Sequence, residues 1–353
     1  MSRMTAFRVR PAELSDSLTW DSYVLARDDA GPYHIYAWKQ AVEKAYGHRP
    51  LYLMAEDEEQ KVKGILPLFL IKPPLIKGDL VSLPFCDYGG ALASDAESLD
   101  ALHRSACGFA HDLHARLELR LREPEPSLTN AYRMGSQSHK ARMLLDLPSS
   151  SEELWGSFKS KLRSQIKRPQ KDGLDFVLGA SELVNDFYSV FSVNMHDLGS
   201  PVHSRELINA VVRSYGQRAH VGIVRSGDKP VAGGVILEIN DLVAIPWASA
   251  LNEYSRSSPN MLLYWGFLAY AADHGFKRFD FGRSTPGEGT FRFKEQWGAR
   301  PCALHWYTQA SQNTMEQSNT TGALRPLAEK AWSRLPLVVA NTLGPLVRRY
   351  ITL

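Results

Sequence analysis

Three charged side chains crowd one stretch of the sequence. Asp280 and Arg283 stand in Phe279-Asp280-Phe281-Gly282-Arg283-Ser284, and Lys294 follows a Gly/Pro/Thr loop in Phe291-Arg292-Phe293-Lys294-Glu295-Gln296-Trp297-Gly298-Ala299. An apolar helix with a glycine stop, Leu262 to Gly275, feeds a short alternating strand that delivers these groups around a turn. Charge presented at a strand end suits group transfer, because backbone amides and side chains converge there. Alternation sends Asp280 to the face opposite Phe279 and Phe281. On a cleft-lining face it could orient or deprotonate an attacking amine; paired with Arg283 it would be a structural ion and a poor base. Lys294 could hold a phosphate while Phe293 or Trp297 stacks on a terminal base. The structural alternative is a surface lysine whose stem covers Phe293.

Asp87, in Phe85-Cys86-Asp87-Tyr88-Gly89-Gly90, is a second acidic candidate at a strand end. The paired glycines there permit either a close backbone approach or a plain turn. Lys294, Asp280 and Asp87 are therefore the candidate catalytic groups. Around them Trp38, Tyr88, Trp247 and Tyr264 could contact substrate, although large aromatics fill cores in any domain. Asn260 and His196 supply polar contacts, and His196 reads as a base or as a hydrogen-bonded structural histidine.

A third feature is a basic row. Ser150 and Glu153 are spaced as a capping box, so the sequence predicts a helix over 151–168, with Leu154, Phe158, Leu162 and Ile166 on one face and Pro169 and Gly173 as the stop. Lys159, Arg163 and Lys167 recur at four-residue spacing beside that apolar row, and Lys161, Arg168 and Lys171 widen it. No acidic residue interrupts 159–171. Solvated helix faces usually alternate in sign, whereas phosphate contacts rest on rows of one sign. Lys159, Lys161, Arg163 and Lys167 are thus a candidate polyanion site.

The 353 residues suffice for two domains of ordinary size. A net charge of +3 creates no global field for nucleic acid, so a polyanion would have to be met locally. Cys86, Cys107 and Cys302 lack CxxC spacing, and there is no HExxH, GxSxG or P-loop, so neither a metal nor a nucleotide-hydrolysis cofactor is expected. The start lacks an apolar signal core and no apolar run reaches membrane-span length. These features predict a cytoplasmic protein.

Two halves repeat the order strand, strand, helix, strand: 64–71, 80–85, 102–115 and 117–122, then 231–239, 242–249, 262–275 and 279–283. This is the order expected of a duplicated acyltransferase fold of the GNAT kind, an α/β fold with mixed sheets, and one large mixed sheet would give the same pattern. Boundaries are expected at 1–147 and 148–308, with a polar linker over 309–322 and a basic amphipathic tail over 323–353. That tail reads as terminal helices on the body or as a peripheral contact with the inner membrane.

The segments 279–284 and 293–299 resemble the carboxy-terminal signature of FemAB-type transferases, which attach amino acids from aminoacyl-tRNA to peptidoglycan precursors. Leu83 to Gly90, Lys161 to Ile166, Asn194 to His203 and Pro259 to Trp265 resemble the FemAB-related proteins associated with exosortase/PEP-CTERM systems. The likeness covers most of residues 30–308. It implies an aminoacyl-tRNA donor, an amine on an envelope or exopolysaccharide precursor as acceptor, and contact of Phe293 and Lys294 with the tRNA acceptor end. The glycine-rich pyrophosphate loop of coenzyme A-binding GNAT enzymes is missing, which weakens acyl-CoA as donor. An acyl carrier protein as donor and a non-catalytic binding role on the same fold stay open beside it.

Overall fold

The computed structural model describes residues 7–137, 140–309 and 327–352. Two units divide them: 7–141, 303–309 and 350–352 form one, and 142–302 with 327–349 the other.

The first unit holds strands β1 (Arg8–Pro11), β2 (Arg49–Glu56), β3 (Val62–Ile71), β4 (Asp79–Val81), β5 (Leu92–Ala93), β6 (Arg116–Leu121) and β7 (Met134–Gln137). Its helices are α1 (Ser17–Leu25), α2 (Tyr36–Tyr46), α3 (Ala96–Asp112) and α4 (Pro126–Asn130). β2 and β3 are buried on both faces, so their sequences are nearly continuous apolar runs. Leu51, Leu53, Leu66 and Leu68 pack with Leu102, Ala106 and Ala110 of α3. The alternate face carries Tyr52, whose ring lies 4.8 Å from that of Trp20 in α1.

The second unit holds β8 (Ala141–Asp146), β9 (Leu174–Gly179), β10 (Ala219–Ser226), β11 (Lys229–Ile239), β12 (Leu242–Ala250), β13 (Arg278–Ser284) and β14 (Arg300–Ala303), in the order β14-β8-β13-β12-β11-β10-β9. Helices α5 (Ser151–Ser157), α6 (Ser160–Lys171) and α9 (Pro259–Asp273) share a core with this sheet through Leu154, Phe158, Ile166, Phe267 and Leu268. α7 (Val184–Asp197), α8 (Arg205–Tyr215), α10 (Gly289–Glu295) and α11 (Leu337–Arg348) follow, and residues 327–332 are helical too. β15 (His305–Gln309) pairs with β6 and β7, completing the first unit's sheet as β1-β2-β3-β4-β6-β15-β7, with β5 on β3. Each half thus runs strand, strand, helix, strand, as β3, β4, α3, β6 and β11, β12, α9, β13, with the two-residue β5 added before α3 in the first. The fold is a mixed α/β one with two GNAT-like halves and a helical tail.

Four expectations change. The helix predicted over 151–168 is two helices, because Phe158 and Lys159 are extended, with ψ of 142° and 150°. Pro169 lies inside α6 instead of ending it; only Gln170 and Lys171 follow, so little of the helix lies beyond the lost N–H. The strand predicted over 80–85 stops at Val81, since Leu83 and Phe85 take φ of +60° and +68°. The boundary after 147 falls instead near 141, and β15 joins the first unit. Of the predicted linker, 310–322 lies outside the described residues, as do 323–326 of the tail.

Candidate active site on the second unit

β12 and β13 run parallel, joined by α9, and pair over only three positions: Leu242 with Arg278, Val243 with Phe279, and Ala244 with Asp280. Beyond Ala244 no pairs form between them, although β12 continues to Ala250 and β13 to Ser284. The cause is local to β12. Its register with β11 shifts between Val235 and Leu237, which places an extra residue on β12 at Ile245-Pro246. A bulge bends its strand, and proline has no N–H for the ladder. The strands therefore part, and the residues from 281 onward form the open end of β13.

Lys294 closes that end from α10. Only 7% exposed, it donates from Nζ to the carbonyl oxygens of Arg283 at 2.7 Å and Gly282 at 3.1 Å. Gly282 takes φ +71°, the left-handed region that favours glycine. Its N–H donates to Asp280 Oδ1 at 2.9 Å. Asp280 is buried, and its Oδ2 lies 3.7 Å from Nη1 of Arg142 on β8. The carboxylate is thus paired with Arg142, a partner that spacing does not suggest. Arg283 is half-buried and contributes its carbonyl. At the strand's last residue, Ser284 Oγ is buried without a hydrogen-bond partner among the described residues.

The motif's aromatics make a joint between α9, β13 and α10. Tyr264 stacks on Phe281 at 5.5 Å, meets Phe293 edge-on at 5.0 Å and lies 6.5 Å from Trp297. Trp297 is 2% exposed and meets Phe158 at 5.6 Å, so it is a core residue and no stacking platform in this conformation. Phe293 is half-buried. Burial pushes the Tyr264 phenol above its ordinary range, so it stays protonated. On β12, Trp247 is buried with its ring 6.2 Å from that of His203. Ser249 accepts from Asn194 Nδ2 at 3.0 Å. Asn260 is half-buried in the first turn of α9. His196 is engaged elsewhere: its Nε2 bonds the Leu335 carbonyl at 2.8 Å, fastening the tail segment to α7.

The basic row survives the helix break. Lys159, Lys161 and Lys167 are exposed and Arg163 is half-buried. Lys159 sits at the N-cap of α6, and Lys167 Nζ lies 5.4 Å over the Trp155 ring. Beside the row opens a cavity of about 720 Å³. Lys159, Lys161 and Gln165 line it together with Leu145, Phe158 and Trp297. Two features read separately in the sequence, the single-signed row and the Trp297 motif, therefore share one cavity.

On the first unit, Trp38 is fully buried, with its Nε1 donating to Pro84 O at 3.3 Å, and Tyr88 is buried with Arg122 5.1 Å over its ring. Trp38 is a packing residue in this conformation, whereas Tyr88 also lines a cavity of about 160 Å³. Asp87 is half-buried, and its carbonyl accepts from Trp306 Nε1 at 3.1 Å. Its turn is held by Arg120, which is fully buried, pairs with Glu118 at 2.6 Å, and donates to Leu83 O at 3.2 Å and Cys86 O at 3.1 Å. Gly90 serves packing: a Cβ there would meet Leu121 Cδ2 at 2.1 Å. Left-handed Leu83 and Phe85 cost about 1–2 kcal/mol each, a strain the buried guanidinium bonds can hold. Arg120, Arg142, Ser249 and Ser284 escaped the reading from sequence. For Arg120 and Arg142 a signal existed, an arginine inside a strand with apolar neighbours; the two serines carry none.

Residues 156–295 match the family described as the acetyltransferase (GNAT) domain. No curated protein sequence matches the chain. Among solved structures, FemX is similar with a TM-score of 0.67 at 14% identity, covering 88% of this chain and 99% of its own. L-PGS from Bacillus licheniformis is similar with a TM-score of 0.57 at 10% identity, covering 92% and 98%. A tandem GNAT protein from the clavulanic acid biosynthesis pathway follows at 0.56 and 12%, covering 87% and 100%. At these identities the likeness is one of fold: two GNAT-type halves in one chain, the second carrying the acyltransferase domain.

Proposed function

We propose that this acyltransferase moves an aminoacyl group from aminoacyl-tRNA to an amine on a cell-envelope or exopolysaccharide precursor, in the manner of the FemAB-type transferases its motifs resemble. The observation that carries the reading is the uninterrupted basic row of α6, which leads to a cavity also lined by Trp297. A polyanionic donor is favoured by such a row, because each neutralised phosphate releases counterions. The amine attacks the ester carbonyl, an amide bond forms, the ester C–O bond breaks, and the ribose hydroxyl leaves with the proton the amine gives up. Positioning of both substrates supplies much of the rate. The parted strands offer the oxyanion its donors, with Ser284 Oγ–H the side-chain candidate. Asp280 and Lys294 act as positioning residues that fix the open end of β13, since their polar atoms are engaged with Gly282, Arg283 and Arg142. The enzyme works in the cytoplasm, at the inner membrane when the acceptor is lipid-linked.

An acidic acyl carrier protein or acyl-CoA would also meet the row around Arg163. Mass spectrometry of species co-purifying with the protein separates the donors. Enrichment of tRNA bearing one amino acid, and its transfer to an amine in a reconstituted reaction, is expected. An acylated carrier or acyl-CoA would replace this reading with N-acyl transfer, and a protein that binds tRNA without transferring would leave a non-catalytic role.

A further inference from the structure

The last helix is packed the wrong way round for a core element. α11 buries its two small residues, Ala340 and Gly344, one turn apart. Gly344 sits against Val202, where a Cβ would come within 3.1 Å of the backbone nitrogen. Large apolar residues point away from that contact: Val338 is 78% exposed and Leu346 57%, with Leu343 and Val339 close to 40%. By helical geometry Val338, Thr342 and Leu346 form one row and Val339 and Leu343 the next, centred opposite Ala340 and Gly344. Thr342 does not break the stripe, because its hydroxyl donates to the Val338 carbonyl at 2.8 Å. Leu327, 66% exposed, is a further exposed apolar side chain earlier in the tail.

Charge says what this face meets. Lys330 and Arg334, both exposed, precede the helix, Arg348 and Arg349, half-buried with each Nε enclosed, end it, and no acidic residue follows Glu329 in the sequence. An exposed apolar helix face flanked by one-signed basic residues fits an anionic lipid surface, where the large side chains enter the acyl boundary and the cations stay with the headgroups. A second copy of the chain would bring like charges together. At 12 residues the helix is about 18 Å long, too short to span a bilayer, and no helix among the described residues is long and apolar enough to cross one.

We infer that α11 is an interfacial helix, anchored to the second unit by Ala340 and Gly344, whose outward face docks the protein on an anionic membrane surface. This extends the proposed function only in where the enzyme works, and its test involves no transfer step, so the two readings fail separately. The full chain is to be sedimented with phosphatidylglycerol-containing vesicles and with pure phosphatidylcholine vesicles, beside the double variant Val338→Asp with Leu346→Asp. Both side chains are exposed, so the variant is expected to keep the wild-type melting temperature. Wild type should pellet with the anionic vesicles and release with salt, and the variant's partition should fall about tenfold or more. Wild type left in the supernatant, or a folded variant that pellets equally well, overturns the inference. So does a wild-type dimer in solution that the variant abolishes, which would assign the face to a second copy.

Discussion

Lys294 Nζ donates to the carbonyl of Arg283 at 2.7 Å, and this bond ties α10 to the last residues of β13 beyond the point where β12 departs. The side chain that spacing marks for phosphate is buried against backbone. Its charge is directed at two carbonyls that a neutral replacement would leave without it.

Replacing Lys294 with Met, which keeps the stem, removes both bonds. Loss of charged hydrogen bonds to buried carbonyls costs about 1.5–3 kcal/mol. We expect a lower melting temperature together with a fall in kcat that a phosphate-gripping role alone would not couple to stability. Unchanged melting with lost tRNA affinity would return Lys294 to direct donor contact.

Asp280 and Arg142 form a buried pair in which each partner limits the cost of burying the other. Asp280→Ala removes the acceptor for the Gly282 N–H as well as the ion partner of Arg142, so destabilisation of about 3–5 kcal/mol is expected. Asp280→Asn keeps a carbonyl for Gly282 and should cost less. Denaturant unfolding of both Asp280 variants, of Arg142→Met and of the double variant Arg142→Met with Asp280→Asn measures these costs and the coupling. Additive effects would show that the two residues do not interact.

These two residues also show where sequence reading ends. β11, β12, α9 and β13 were legible because apolar runs, a glycine stop and alternation are local signals. The Asp280–Arg142 pair was not, since it joins β13 to a strand far upstream, and Arg283 stood nearer in sequence. The break at Phe158-Lys159 was hidden for a different reason. Leu154, Phe158, Leu162 and Ile166 all face one core cluster, so their four-residue spacing runs straight through two extended residues. Trp297 read as a stacking ring because an aromatic beside charge looks the same buried or exposed.

Reversing Arg163 and Lys167 to Glu should weaken tRNA binding without unfolding the protein, since Lys167 is exposed and Arg163 only half-buried. If each cation neutralises one phosphate, the slope of log K against log salt should shrink by about 2. Filter binding across a salt series reads both quantities. Equal slopes for the two proteins would make α6 an ordinary solvated face.

The first unit should be acid-labile through two buried histidines that line a cavity of about 160 Å³. Burial lowers the pKa of His34 and of His103 from 6.5 to about 4. His34 is fully satisfied as a neutral ring: Nδ1 accepts from the Gly31 N–H at 3.0 Å and Nε2 lies 3.1 Å from the Gly90 carbonyl. His103 has no hydrogen-bond partner at either nitrogen among the described residues. Because the folded pKa lies below the unfolded one, the unfolded chain binds the proton first as pH falls. Stability is therefore intact above about pH 6.5 and declines between there and pH 4, by up to roughly 3 kcal/mol per histidine. His103→Leu removes a ring that makes no hydrogen bond, so it should cost little at pH 7.5 and remove that histidine's share of the decline. Denaturant midpoints at pH 7.5 and pH 5 should show wild type losing roughly 2 kcal/mol more than His103→Leu over that interval. Equal losses in the two proteins would mean that His103 carries its proton into the folded state.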